Sequence, residues 1–249
     1  MLLITVPSVV CKMIFSKTVF LFLILVIVGV TIEGNILKVV NPAATKGSKC
    51  GNIDTGAPFG EGERNSLLNR HNAYRSELAK GHSAMKSGGN APTGADIATL
   101  KYNCSLEKIA EEWAKHCVFE HSSGSHRNGA GENIWASFSN DGGTPGNVFN
   151  SASDSFWSEL KQKGELKNGN TKFTADMLPI GHWSQMAWAK TTSVGCGYAT
   201  CNANNGFKYM HFVVCNYYPA GNYLNENIYD TGSTCSKCHS CDKNTGLCA

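Results

Sequence analysis

The cysteines constrain the fold of this chain more than any other feature of its sequence. Eleven cysteines occur in 249 residues; Cys11 lies in or before an apolar N-terminal segment, and the other ten follow that segment. An even number of cysteines in an exported chain indicates an oxidising compartment and up to five disulfides. Zinc is the alternative in the tail, because Cys235, Cys238 and Cys241 have ligand-like spacing. Thiolates crowded together in an exported chain favour disulfides over zinc.

The export signal is the apolar run of residues 19–30, which Lys12 and Lys17 precede and a polar turn follows. The run is shorter than the roughly 20 residues that a comfortable membrane span needs. It matches the hydrophobic region of a signal peptide, and an uncleaved signal anchor is the alternative. We therefore predict a signal peptide at residues 1–34, with Met13 as an alternative start, and a secreted, extracellular protein.

The composition of the chain and its Gly- and Pro-rich segments predict one central domain. With 42% hydrophobic residues the chain can bury one substantial core or two small ones, and its net charge of +3 is too mild for a nucleic-acid partner. Residues 35–60 are rich in Gly, Pro and Thr without periodicity, which indicates an extended leader. No repeat or long linker divides the middle of the chain. The domain is predicted to span residues 61–228, and residues 229–249 to form a cysteine-rich, hinge-like tail.

Apolar periodicity predicts helices and strands within this domain. Helical spacing occurs at residues 63–82, at residues 105–117 with Ser105 as N-cap, and at residues 149–163 and 182–190. Alternation predicts strands at residues 132–135, 194–200 and 208–217, with a hairpin turn at residues 204–206. The predicted fold class is α+β, with helices packed against an antiparallel sheet.

Four polar residues at element edges are the candidates for chemistry: His121, Glu132, Glu159 and His182, called here the His/Glu set. If they converge in a cleft, two imidazoles and two carboxylates can hold a divalent cation or share protons. Spacing alone does not establish that convergence, and four unrelated surface residues are the alternative.

Four short motifs resemble those of the CAP superfamily (cysteine-rich secretory proteins, antigen 5 and pathogenesis-related-1 proteins). Residues 181–188 (GHWSQMAW) resemble its first signature and residues 212–223 (FVVCNYYPAGNY) its second. Residues 71–75 (HNAYR) and 131–134 (GENI) are similar to its two shorter motifs. The motifs follow the family's order, and together with the stapled tail they look most like nematode venom-allergen-like or activation-associated secreted proteins.

The resemblance implies a single α-β-α sandwich with a small disulfide-stapled C-terminal tail. It also implies that the His/Glu set lines a central cavity. Zinc or magnesium would bind there through His121 and His182, while Glu132 and Glu159 orient water or the ligands.

The resemblance further implies how the cysteines pair. The implied bridges are Cys117–Cys201, Cys196–Cys215, Cys50–Cys104, Cys235–Cys241 and Cys238–Cys248. Asn103 occupies the Asn-x-Ser/Thr sequon at residues 103–105 and is a candidate for N-glycosylation, although a disulfide at Cys104 would compete with it.

The resemblance implies that this protein binds sterols or fatty acids and also host or extracellular proteins. It further implies an effector rather than an enzyme. We expect a monomer or a weak dimer. A lipid slot needs apolar walls with few polar groups. The candidates are Leu67, Leu68, Tyr74, Leu78, Phe149, Phe156 and Trp157. The alternative is that these residues pack the core.

A hydrolase that uses the same His/Glu set is the alternative function. Histidine and glutamate can form acid/base pairs, and Ser184 lies two residues from His182. No Gly-x-Ser-x-Gly nucleophile elbow occurs, however, and Ser184 is more simply a capping or surface hydroxyl. The sequence therefore favours a binding protein, with no catalytic residue assigned.

Overall fold

The computed structural model describes residues 30–33, 36–39, 49–203 and 205–249. The chain divides into two units, Met1–Lys46 and Gly47–Ala249. In the first unit, β1 (Val30–Glu33) and β2 (Ile36–Val39) form an antiparallel pair. Most of the predicted signal peptide lies outside the described residues. Within them, no helix has the length and apolar character to cross a membrane.

The second unit is built on a four-stranded sheet with the strand order β5-β7-β8-β6. The strands are β5 (Lys101–Tyr102), β6 (Gly131–Ser139), β7 (Ser193–Asn202) and β8 (Tyr209–Tyr218). β8 pairs antiparallel with β7, as predicted, across a turn whose Asn204 lies outside the described residues. β8 also pairs antiparallel with β6. β5 departs from the prediction, because it pairs parallel with β7. A parallel pair needs a long crossover, and residues 103–192 separate these two strands.

Four helices flank the sheet: α1 (Glu61–Ala79), α2 (Cys104–Ala114), α3 (Pro145–Lys163) and α4 (Gly181–Ala187). Short 3₁₀ turns at Lys167–Gly169 and Ala175–Ile180 join α3 to α4. α1 begins and ends two to three residues earlier than predicted. α3 begins four residues earlier, because a proline is compatible with the first turn of a helix.

The N-cap of α2 was wrongly predicted. Asn103, not Ser105, caps the helix, and its Oδ1 accepts hydrogen bonds from the backbone N–H groups of Ser105 and Leu106. The helix ends at Ala114, before Cys117, whose φ of 58° is not helical. N-glycosylation of Asn103 stays a prediction, on a side chain already engaged in capping.

The helices lie on both faces of the sheet. α2 covers one face through a small core of Ala110 and Ala114 against alternate strand residues such as Ile134 and Phe212. α1, α3 and α4 cover the other face around a larger core that contains Trp183. The predicted α-β-α sandwich is confirmed. Most residues proposed for a lipid slot belong to this larger core, namely Leu67, Leu78, Phe149, Phe156 and Trp157. Leu68 and Tyr74 are partly buried against it, so the core alternative holds for these side chains.

Five disulfides tie the second unit together, with the pairing that the resemblance implies. They are Cys50–Cys104, Cys117–Cys201, Cys196–Cys215, Cys235–Cys241 and Cys238–Cys248. Part of the predicted leader is folded: β3 (Lys49–Cys50) pairs with β4 (Ile53–Asp54).

The cysteine-rich tail packs on the domain. It contains a small antiparallel pair, β9 (Cys241–Asp242) and β10 (Leu247–Cys248). Leu247 is buried in the larger core, and the N–H of Cys248 donates to the carbonyl of Ile97. The tail therefore adds to the hydrophobic core.

Candidate functional site

The structure brings the His/Glu set to one open cleft of about 460 Å³. Each member comes from a different element: His121 from the segment after α2, Glu132 from β6, Glu159 from α3 and His182 from α4. The remaining lining residues are Asn133, Phe173, Leu178, Pro179, Gly181 and Asn222. Elements far apart in sequence thus contribute two imidazoles and two carboxylates to the lining of one cleft. Their roles in binding remain predictions.

The first pair is His121 with Glu132. Nδ1 of His121 lies 2.8 Å from Glu132 Oε1, and the imidazole is 55% exposed whereas the carboxylate is 1% exposed. Ser122 donates to Glu132 twice, from its backbone N–H at 2.9 Å and from Oγ at 2.6 Å. Burial raises the pKa of Glu132, but the hydrogen bonds from His121 and Ser122 outweigh it and leave the pKa below its ordinary value. The carboxylate is therefore ionised at neutral pH and holds the imidazole by Nδ1.

The second pair, Glu159 with His182, repeats this arrangement. Nδ1 of His182 lies 3.0 Å from Glu159 Oε1, while Glu159 Oε2 accepts the backbone N–H groups of His182 at 3.0 Å and Trp183 at 3.2 Å. The carboxylate thereby binds the first turn of α4. Burial raises the pKa of Glu159, but the hydrogen bond and charge interaction with His182 outweigh it, so that the pKa is lowered. Phe156 packs against the His182 ring, with centroids 4.9 Å apart.

The two pairs leave the same atom available on each histidine. Because Nδ1 donates to a carboxylate, the neutral tautomer of each ring would carry its lone pair on Nε2, and among the described residues Nε2 has no hydrogen-bond partner. A carboxylate on one ring nitrogen is the usual support for a metal ligand on the other. No group of three or more His, Cys, Asp or Glu side chains within the described part of the chain is placed to hold a metal. Nε2 of His121 and Nε2 of His182 are therefore the candidate ligand atoms in the cleft, and a cation held by these two atoms would have to complete its shell with water.

The geometry does not favour the hydrolase alternative. Ser184 is fully buried, and its Oγ lies within hydrogen-bond distance of the Gly181 carbonyl and, at 2.6 Å, of Asn222 Oδ1. Both carboxyl groups of the His/Glu set have lowered pKa values, so neither holds a proton to donate at neutral pH.

Sequence reasoning missed Ser122 and Asn133, and the apolar wall formed by Phe173, Leu178 and Pro179. Asn133 carried a usable signal, because it is an amide in a strand whose neighbours Ile134 and Trp135 are apolar. A polar residue at such a position is buried and needs hydrogen-bond partners. The apolar wall carried no such signal, since its residues lie in or just before the short 3₁₀ turn Ala175–Ile180, which no apolar periodicity marks in the sequence.

Residues 68–217 match the family model described as the cysteine-rich secretory protein family, CAP. Together with the α-β-α sandwich and the His/Glu cleft, this match shows that the chain belongs to the CAP family.

Curated relatives agree with this assignment. The chain is 36% identical to Ancylostoma secreted protein of Ancylostoma caninum over 197 residues, which cover 75% of this chain and 44% of that relative. The chain thus spans less than half the length of that relative. It is 34% identical to Venom allergen 5.02 of Dolichovespula maculata, over 68% of this chain and 76% of the allergen.

Solved structures give the same result. NaASP2, crystallised with Zn²⁺, superposes with a TM-score of 0.73 and 40% identity, over 80% of this chain and all of that one. BmVAL-1 superposes with a TM-score of 0.71 and 35% identity, over 78% of this chain and 96% of that one. The resemblance to nematode venom-allergen-like and secreted proteins is confirmed.

Proposed function

We propose that this protein is a secreted, extracellular CAP effector whose cleft binds a divalent cation through His121 and His182. One observation carries the proposal: in each histidine, Nδ1 is held by an ionised and largely buried carboxylate, which leaves Nε2 as the ligand atom. A carboxylate on the ring fixes the tautomer and raises the basicity of the ligating nitrogen. Similarity to NaASP2, which was crystallised with Zn²⁺, supports the proposal.

The donor chemistry favours zinc over magnesium. Imidazole nitrogen suits zinc, whereas magnesium prefers oxygen ligands and keeps its waters. When bound, zinc would supply a positive charge and an acidified water in the cleft. The two imidazoles must be neutral to bind it, so affinity should fall as the pH drops through the range in which histidine is protonated.

Calorimetric titration with zinc tests the proposal. We expect saturable binding by the wild-type protein and at least a tenfold loss of affinity in the double variant His121→Ala/His182→Ala. The matched control is His116→Ala/His239→Ala, which removes two exposed imidazoles outside the cleft and should bind zinc as the wild type does. Undiminished affinity in the cleft variant would overturn the proposal.

Sterol or fatty-acid binding beside the cation is the second candidate. The supporting observation is the apolar wall: Phe173, Leu178 and Pro179 line the same cleft, and Leu178 is 66% exposed. Leu178 and Pro179 are exposed, whereas Phe173 is buried, and exposed apolar side chains at a concave site favour an apolar ligand with a polar group directed at the His/Glu set.

Saturable binding of labelled palmitate or cholesterol tests the second candidate. Leu178→Asp should weaken it, whereas Leu224→Asp should not, because Leu224 is 59% exposed but does not line the cleft. Equal effects of the two substitutions would contradict a lipid site in the cleft. Extracellular protein partners and a monomeric or weakly dimeric state belong to the same proposal, and sedimentation velocity of the purified protein tests the latter.

A further inference from the structure

Asn133 lines the cleft and carries a buried oxygen that has no partner among the described residues. Its side chain is 1% exposed, and its Nδ2 lies 3.0 Å from the carbonyl oxygen of His182 and 3.4 Å from Tyr217 Oη. Its Oδ1 has no hydrogen-bond partner among the described residues. A buried acceptor without a donor is unfavourable, so a bound molecule that donates a hydrogen bond is expected at this position.

The orientation of the amide follows from its partners. The His182 carbonyl can only accept, so the group that faces it must be the NH₂ group of Asn133. A flipped amide would place two oxygens against each other. The hydrogen bond to the His182 carbonyl therefore fixes which end of the amide is Nδ2, and Oδ1 lies on the side away from His182 O.

A chain of directed hydrogen bonds from the core leads to the same orientation. His71 is fully buried with a pKa lowered to about 4 by burial, so it is neutral, and its Nδ1 lies 3.0 Å from the Leu67 carbonyl. Nδ1 thus carries the proton, and Nε2 accepts from the Tyr217 hydroxyl at 3.0 Å. The Tyr217 oxygen is then free to accept from Asn133 Nδ2. Every N–H and O–H donor in this series of hydrogen bonds has an acceptor. Asn133 Oδ1 is the one acceptor of the series that has no donor among the described residues.

We propose that Asn133 is a positioning residue whose Oδ1 accepts a hydrogen bond from a water bound to the cation in the cleft. Water on zinc is acidified and is a strong donor. A neutral amide oxygen suits this role better than direct ligation, because zinc takes nitrogen, thiolate and carboxylate ligands. The same amide holds the backbone of His182, so one side chain contacts both a proposed ligand residue and the proposed water. This inference rests on the proposed zinc site.

Zinc titration of two variants separates this role from a structural one. Asn133→Ala should lower zinc affinity about ten- to hundredfold, the usual effect of removing a partner of a metal's ligands or waters. Tyr217→Phe is the matched control: it breaks the chain from His71 but leaves the hydrogen bond from Asn133 to His182, so the affinity should stay at the wild-type value. Equal losses in the two variants would show a purely structural role and overturn the inference.

A measurement on the wild-type protein covers the case in which Asn133→Ala fails to fold. The side-chain carbonyl ¹³C signal of Asn133 should shift on saturation with zinc. The corresponding signal of Asn222, which also lines the cleft but already accepts from Ser184, should shift much less. An unmoved Asn133 signal would overturn the inference. If zinc binds through His121 and His182 without involving Asn133, only this inference fails; if the wild type binds no zinc, the proposed function fails with it.

Discussion

His71 and Arg75 lie one turn apart on α1, and both are fully buried. Arg75 donates to the backbone carbonyls of Ala98, Met186, Trp188, Ala189 and Thr191. Burial lowers the pKa of Arg75 to about 9, so it still carries its charge at neutral pH. The motif at residues 71–75 therefore anchors α1 to the segment around α4, and its side chains do not line the cleft.

The pKa of His71 predicts a pH dependence of stability. The native state holds the imidazole neutral with a pKa of about 4, mainly through burial, whereas the unfolded chain takes up its proton near pH 6.5. The unfolded state thus binds more protons between these values. The free energy of unfolding should fall by up to about 3 kcal/mol as the pH drops from about 6.5 to about 4.

Urea unfolding across this pH range measures the effect. His71→Gln lacks the titrating group, so it should be less stable at pH 7 but show a shallower decline towards pH 4. Parallel pH profiles for the variant and the wild type would contradict the prediction.

At the scale of elements, the contact between α2 and β7 determines how closely the helix on one face of the sandwich packs against the sheet. Gly195 and Gly197 face α2, and a Cβ at Gly197 would overlap the backbone of Ala110 and Glu111. The absence of side chains lets the helix lie directly on the strand. This close packing also fixes the start of the segment after α2, which carries His121.

Gly197→Ala should therefore destabilise the protein by about 3 kcal/mol, because backbone cannot give way as a flexible side chain can. Gly62→Ala in α1 is the control: its Cβ would meet no atom within 4 Å, and the substitution should stabilise by about 0.5–1 kcal/mol through helix propensity. Thermal unfolding of the two variants measures both effects. A neutral result at Gly197 would show that α2 is able to move away from the sheet.

For the whole molecule, disulfides hold segments that have little regular structure of their own. Cys117–Cys201 closes a separation of 84 residues and lies four residues before His121. Cys235–Cys241 closes only 6 residues, within a tail that is already packed against the core. The two bridges therefore differ both in the chain entropy that they remove and in their place relative to the cleft.

Replacing both cysteines of each bridge by serine should reveal this difference. Loss of Cys117–Cys201 should lower the free energy of unfolding by about 4–5 kcal/mol, and loss of Cys235–Cys241 by about 2 kcal/mol. Only the first should also weaken zinc binding, because it frees the segment that presents His121. Guanidinium unfolding and calorimetry provide the two readouts. Equal effects of both replacements on zinc affinity would contradict the role given to the longer bridge.

Much of this architecture could be predicted from local pattern and resemblance. The four helices, the β7–β8 hairpin and the members of the His/Glu set were found from periodicity, turn residues and motif order. Two of the errors fall where partners distant in sequence decide the outcome: β5 pairs parallel with β7, and most of the proposed slot residues lie in the core. The third error is local, because Asn103 replaces Ser105 as the cap of α2.

The sequence by itself determined the cysteine-rich α+β class and the members of the His/Glu set, and the resemblance carried by its motifs implied the sandwich and the disulfide pairing, because composition, periodicity and motif order can be read from the order of residues. Only the tertiary structure decided that each histidine is held at Nδ1 by its own glutamate, that Leu178 lines the cleft, and that Asn133 Oδ1 has no partner in the described part of the chain. Such outcomes depend on contacts between elements, as between His71 and Tyr217, which are 146 positions apart. The spacing of residues along the chain carries no record of such contacts.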